Sequence, residues 1–450
     1  MPGRIILKYC IMPAINRPSP EAISNDPTGL ARVFRALRYR NYRLFFIGQS
    51  ISLIGTWMQQ VAISWLVYSL TNSAFMLGVV AFSGLISTFL LTPFAGVLVD
   101  RLDRHRILVV TQTLAMLQAF ALAVVVLTGT AAVWNLILLS AALGFINAFD
   151  MPTRQAFVLD MVTNLEDLGN AIALNSSLFN SARLIGPSVA GVLVALVGEG
   201  LCFLINGISF IAVIACLLAM KITPTPPRGR QEDFLRGMKD GANYAFGYPP
   251  IKYIVILLAF SALVAMPYPV LMPVFAKEVL QGGANTLGFL MAAAGAGALA
   301  GAIYLALRKN VFGLDKVIVV STCSFGVGLI CFSLSRITAL SMLFMAVTGF
   351  GMVVQLAASN TILQTIADDD KRGRVMSLYI MSFMGLAPFG SLLFGGLADY
   401  IGAPNTLLIG GACMLAGALL FTRKFSSVKG MVHRAYVKKG LVPENDSKNK

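Results

Sequence analysis

Residues 74–128 read AFMLGVVAFSGLISTFLLTPFAGVLVDRLDRHRILVVTQTLAMLQAFALAVVVLT. Two apolar runs flank seven residues, Asp100 to Arg106, that hold two acids, three arginines and a histidine. Each run exceeds the roughly 20 helical residues needed to cross the ~30 Å hydrocarbon core of a bilayer. The runs are continuous, whereas a barrel strand would alternate apolar and polar residues over about ten positions. The stretch is therefore a transmembrane helical hairpin with a charged turn.

The rest of the chain repeats this pattern. Its 450 residues are 57% hydrophobic and 12% charged, against about 45–50% and about 25% in a soluble domain. Apolar windows predict spans near 44–70, 74–99, 106–128, 132–152, 170–197, 200–220, 251–276, 284–307, 316–335, 338–362, 375–398 and 403–422. The expected fold class is an all-α polytopic membrane protein with twelve transmembrane helices. Short links such as TNSA, VGEG and IGAPN lie on one side, and longer charged links on the other.

Charge distribution orients the spans. With the N-terminus inside, the inner segments hold 32 of the 35 lysines and arginines. The outer links hold only Lys277 and Arg336, and Arg183 lies within a span. This asymmetry predicts that both termini are cytoplasmic. The net charge of +15 is then a topology signal and an anionic-lipid contact, and no nucleic-acid partner is expected. The six cysteines are scattered without a CxxC pair, and the only histidines are His105 and His433, so no disulfide framework and no metal site is expected. The opening MPGRIILKYCIMPA has too short an apolar core for a signal peptide.

The polar stretch KITPTPPRGRQEDFLRGMKDGANYAFGYPP divides the spans six and six. The predicted organisation is an N-terminal cytoplasmic tail (1–43), a six-helix bundle (44–220), a cytoplasmic linker (221–250) with a short surface helix, a second six-helix bundle (251–422) and a C-terminal tail (423–450). The halves also resemble each other. A shift of 204 residues matches Gly169 with Gly373, Leu174 with Leu378, Phe179 with Phe383, Gly186 with Gly390, Gly191 with Gly395 and Leu193 with Leu397. An internal duplication is expected.

GVLVDRLDRHRIL (96–108) resembles the loop 2–3 signature of the major facilitator superfamily, with Gly96, Leu98, Asp100, Arg101, Arg104 and Arg106 on the pattern and Asp103 where a second glycine is usual. FRALRYRNYRLFFIGQSISLIGTWMQQVAISWLVYSLT (34–71), NAFDMPTRQAFV (147–158), ALNSSLFNSARLIGPSVAG (173–191) and MPYPVLMPVFAKEVL (266–280) are similar to the bacterial branch containing the enterobactin exporter and related efflux proteins. The resemblance spans residues 34–422 and implies two six-helix bundles rocking around a cavity lined by spans 1, 4, 7 and 10. It also implies a monomer that needs no cofactor beyond the proton gradient.

The residues carry their own chemistry. In GPSVAG, Gly186 and Gly191 allow close helix approach, and Pro187 frees the carbonyl of Arg183. The stretch resembles the helix-5 motif of exporters, which implies a seal between the halves; simple helix packing is the other reading. Arg183, the one charge well inside a span, either attracts anionic substrates in the cavity or bonds to carbonyls and the row Asn175, Ser176, Asn180. Asp150 lies 17 residues from the outer end of span 4, roughly 25 Å at 1.5 Å per residue. That depth matches Asp100 and Arg101, so an ion pair of Asp150 with Arg101 or Arg104 is expected to latch spans 2 and 4, with Arg154 extending the network; a proton-carrying Asp150 is the alternative. Gln59, Gln60, Asn147, Tyr268 and Gln355 occupy mid-membrane depths suited to a substrate cavity, or to interhelical hydrogen bonds. Tyr68 lies further out, at the depth of the interfacial aromatic belt.

Without a GxxxxGK[ST] loop, acid pair or Ser-His arrangement, no enzyme is expected. The expected function is secondary active export of a small organic molecule (drug, siderophore or metabolite) across the bacterial inner membrane by proton antiport. The partners are that molecule, protons and membrane lipids. An importer or uniporter of the same fold, or a non-transporting receptor, is the alternative.

Overall fold

The computed structural model describes residues 34–222, 243–308, 312–368 and 371–439, apart from the side chains of Val97, Asp100, Leu165, Lys429, His433 and Lys438. Residues 1–33, most of the linker and residues 440–450 lie outside this range, as does the expected role of the Asp100 side chain. The described chain is helical, with no strand among the described residues. After a 3-10 turn at Arg35–Arg38 come α1 (Arg40–Thr71), α2 (Ala74–Arg101), α3 (Arg104–Leu127) and α4 (Val133–Met161). The helix Leu165–Leu218 is broken at Gly198 (φ 80°, ψ 170°) into α5 (165–197) and α6 (199–218). Then follow α7 (Pro249–Val264), α8 (Ala284–Ala306), α9 (Leu314–Leu334), α10 (Thr338–Ile366), α11 (Arg372–Met384), α12 (Ala387–Ile401), α13 (Ala403–Ser426) and α14 (Lys429–Lys438). Ten stretches among the described residues are long and apolar enough to cross a membrane; one of them takes in both α5 and α6, and another joins α11 and α12.

Local sequence explains the turns. Asn72 ends α1 in the left-handed region (φ 47°), and Ser73 caps α2 by accepting from the Met76 amide. Asp103 caps α3 in the same way, accepting from the His105 amide at 2.9 Å. Gly198 and Gly402, with φ of 80° and 85°, make the sharp reversals at VGEG and IGAPN, a backbone region that glycine enters without a Cβ clash. These links share one end of the molecule, here called the far side. The 3-10 turn, the 101–104 hairpin and α14 share the opposite, terminal side.

Proline breaks the seventh stretch. α7 stops at Val264, and the chain continues as a 3-10 turn (Tyr268–Leu271), a short helix (Met272–Val274) and a π turn (Phe275–Val279). Pro267, Pro269 and Pro273 each lack the amide that a regular helix needs. Tyr268 is held there, buried, with its ring edge on Phe325 at 6.3 Å.

Small residues set the packing. A Cβ at Gly144 of α4 would lie 2.1 Å from the Gly84 carbonyl oxygen of α2, and Thr88 donates to the Gly144 carbonyl at 2.9 Å. The N-terminal and C-terminal helices meet along two crossings, α2 with α12 and α5 with α8. Gly191 of α5 lies against Gly288 of α8, and Gly395 of α12 lies against Gly78 of α2. Gly191 and Gly395 are a pair in the 204-residue shift, and each packs on a glycine of the other half. Residues 429–438, expected as part of a tail, form a helix with Val432 and Tyr436 buried. They cover apolar side chains of α7, α9 and α10 that would otherwise face water.

Candidate functional site

The charged hairpin is held by partners other than those expected. Arg104 donates to both carboxylate oxygens of Asp160, each at 3.1 Å. Asp150 is buried and accepts from Thr111 Oγ1 at 2.9 Å and Gln112 Nε2 at 2.7 Å, both on α3, and it pairs with Arg154 one turn along α4. The expected pair of Asp150 with Arg101 or Arg104 is corrected. The reason is helix length: α4 runs to Met161, not to 152, so its terminal-side end carries Asp160. Asp150 sits about 11 Å deeper than Arg104, the rise to Thr111 along α3. The latch therefore joins α3 to α4. Arg101 is exposed, Arg106 pairs with Asp103 at 3.5 Å on the surface, and a Cβ at Gly96 would touch nothing within 4 Å. His105 Nε2 lies 2.8 Å from the Leu217 carbonyl oxygen and its ring stacks on Phe157, tying the hairpin to α4 and α6.

The GPSVAG stretch of α5 lies on the crossing between the halves. A Cβ at Gly288 would lie 2.4 Å from the Pro187 carbonyl oxygen, and one at Gly295 would lie 2.8 Å from that of Arg183. Gly186 faces the other way, against Trp57 of α1, whose ring lies 5.9 Å from the Arg183 guanidinium carbon. The buried Tyr268 phenol of the seventh stretch lies close to Arg183. Arg183 thus touches both halves of the molecule.

The candidate cavity residues separate into two groups. Gln60 is exposed, while Asn147 and Arg183 are half-buried. Gln59 is buried in a chain with Gln118 (3.0 Å) and Asn206 (2.8 Å) that joins α1, α3 and α6. Gln355 is buried and donates to Ser261 Oγ of α7 at 2.8 Å. Of the six, Gln60, Asn147 and Arg183 keep accessible surface, Tyr268 is buried near Arg183, and Gln59 and Gln355 are committed to packing.

The far side carries a cluster that the sequence reading passed over. Tyr68 of α1 donates to Glu278, and Lys277 donates to Asn72 Oδ1 at 2.7 Å while lying over the Tyr68 ring at 5.3 Å. Asp399, in the last turn of α12, accepts from Ser73 Oγ and the Ala74 amide, both at 2.7 Å. A carboxylate at the first turn of α2 also meets the positive end of the helix dipole. Tyr68 is buried in this latch and does not stand in an aromatic belt. The available signal was that acids Glu278 and Asp399 lie beside far-side links where charge is otherwise scarce.

These contacts run from the far end to mid-depth, where a Cβ at Gly385 would meet the Phe89 ring at 2.7 Å. On the far half of α5 one stripe is exposed, Ile185, Val189, Val192 and Leu196, the face toward lipid. On the terminal half Ile172, Ser176 and Phe179 are exposed on the opposite face, in line with Arg183. This exposed face of α5 is the candidate wall of a terminal-side cleft, with Arg183 at its deep end. Among the described residues no group of three His, Cys, Asp or Glu side chains could hold a metal.

Residues 31–437 match the family model for transmembrane secretion effectors. The chain belongs to this major facilitator family. It is 28% identical over 386 residues, 84% of this chain and 95% of the relative, to the staphyloferrin A transporter of Staphylococcus aureus (strain NCTC 8325 / PS 47). It is 23% identical over 360 residues, 79% of this chain and 85% of the relative, to the enterobactin exporter EntS of Escherichia coli O1:K1 / APEC. The solved structure of the nucleoside transporter NupG superposes with a TM-score of 0.66 at 14% identity, over 86% of this chain and 99% of that one, a likeness of fold. Family and relatives are transporters, so this membrane-spanning family member is a transporter and not an enzyme.

Proposed function

We propose that this family member is a secondary active exporter that moves a small organic molecule across the bacterial inner membrane by alternating access, coupled to proton entry. Twelve spans form two six-helix halves, α1–α6 and α7–α13, with the terminal side cytoplasmic; the protein works as a monomer. One observation supports the reading: hydrogen bonds between α1–α2 and the later helices cluster at the far side, while the terminal half of α5 exposes Ile172, Ser176 and Phe179, as a cleft shut at the far side and open toward the terminal side would require. That is one of the two end states an alternating carrier needs. The far-side contacts are suited to breaking, being few polar bonds at the ends of glycine crossings. The 32:2 distribution of basic residues supports cytoplasmic termini. Carboxylates that hold conformation, Asp150 within the N-terminal half and Glu278 and Asp399 between the halves, are the groups through which protons can act.

The test is uptake into inverted membrane vesicles of an iron-free siderophore, a macrolide and a lipophilic cation, with and without a protonophore. The expected result is accumulation of at least one probe, abolished by the protonophore. Accumulation that ignores the protonophore contradicts proton coupling, and accumulation confined to right-side-out vesicles reverses the direction.

A further inference from the structure

At the blind end of the cleft, Arg183 is a charge without a counter-charge. Among the described residues no carboxylate lies within 4 Å of it. The elements around it supply none nearby: α8 contains no charged residue, α1 none beyond Arg43, and residues 249–276 only Lys252 at the terminal side. A mid-membrane arginine is costly, about 2.5–3.5 kcal/mol on insertion scales, and is kept where it faces a partner or a cavity. Its neighbours here are a ring face, Trp57, and a hydroxyl, Tyr268. Neither cancels the charge.

The surroundings also define what can lie beside the charge. Trp57 packs edge to face with Phe179 at 5.8 Å, and Phe179 is 46% exposed on the cleft face of α5. Gln60, three residues from Trp57 on the same side of α1, is exposed as well. The end of the cleft is thus an aromatic corner, two rings set 64° apart, with a guanidinium at its base and an amide at its edge. A guanidinium fork matches a carboxylate in two parallel hydrogen bonds, strengthened where water is scarce.

We propose that Arg183 is the anchor of a binding site for small organic anions, which place a carboxylate on the guanidinium and a planar apolar group against Trp57 and Phe179. Arg183 belongs to α5 and Tyr268 to the broken seventh stretch, so an anion on the guanidinium neutralises a charge at the place where these two elements come together. The proposal names the substrate class of the cleft on which the export reading rests, but equilibrium binding at Arg183 requires no transport.

The test compares binding of radiolabelled 2-naphthoate and its neutral isostere 2-naphthamide to the purified full chain in nanodiscs. The naphthoate is expected to bind at least about tenfold more tightly, the size of one charge-assisted hydrogen-bonded contact. Arg183→Gln is expected to remove that preference, leaving the two probes equal, whereas Arg183→Lys retains part of it through charge without the fork. A native chain that shows no preference for the carboxylate, whether it binds both probes or neither, overturns the proposal. So does an Arg183→Gln chain that keeps the preference, or loses affinity for both probes equally, which marks a packing role. Anion-selective binding in a chain that moves nothing in vesicles leaves this site standing and contradicts export instead.

Discussion

Asp150 and Arg154 show how the environment of a single pair sets its consequences. The carboxylate is buried and fully used by Thr111, Gln112 and Arg154, while Arg154 Nε is buried without a partner. Removing one member of such a pair leaves an uncompensated charge, which costs ~3–5 kcal/mol, whereas removing both can be nearly neutral. Asp150→Ala is therefore expected to lower the thermal midpoint of the purified protein sharply, and Asp150→Ala with Arg154→Ala to recover much of the loss. An additive double variant would show that the pair is not coupled. Asp150, Arg154 and Arg104, read from the sequence as charges that need partners, each have one, whereas Arg183 has no carboxylate within 4 Å among the described residues. The sequence reading misassigned the partners because the end of an apolar run understates a helix: the polar turns Met151–Met161 continue α4. Gln59 and Gln60 are adjacent in sequence, yet one is buried and the other exposed. Depth was legible from hydropathy, but facing depends on the neighbouring helices.

Among elements, the two glycine crossings and the far-side latch are what hold the far side together. Gly288 has no room for a side chain, so Gly288→Leu is expected to force α5 and α8 apart and expose the far-side seam. Labelling of a cysteine at the buried Ala284 by a membrane-impermeant maleimide should then rise several-fold; unchanged labelling would mean that the crossing closes nothing. Asp399→Ala removes two cross-half hydrogen bonds made by an exposed carboxylate, and should raise labelling at the same position without lowering the amount of folded protein. The docking of α14 has a pH limit. Burial, with a smaller effect of Asp315, pushes the Tyr436 phenol up to about 12 from its usual 10. The neutral phenol is the docked form, so docking is fully held below pH 10 and lost as pH rises through about 12. A fluorophore at the exposed Gly430 should report release of α14 in that window, with Tyr436→Phe remaining docked above it. The glycines of α5 and α12 were readable as small-residue contacts, and the linker as a division between halves. The latch was not, because its partners Ser73 and Asp399 are 326 residues apart.

For the whole molecule, the central claim is that the two halves exchange the far-side-closed form described here for its opposite. Alternating access predicts reciprocal motion, since one rigid half rocking on the other must open one end as it closes the other. The direct measurement places spin labels, in a chain with its six cysteines replaced, on exposed Phe75 and Tyr400 at the far side, and in a second chain on Arg101 and Gly373 at the terminal side. Distances are recorded in nanodiscs at neutral and acidic pH, with and without 2-naphthoate. Lengthening of the far-side pair together with shortening of the terminal-side pair is the predicted result. Two distances that stay fixed under every condition, or that lengthen together, would contradict it.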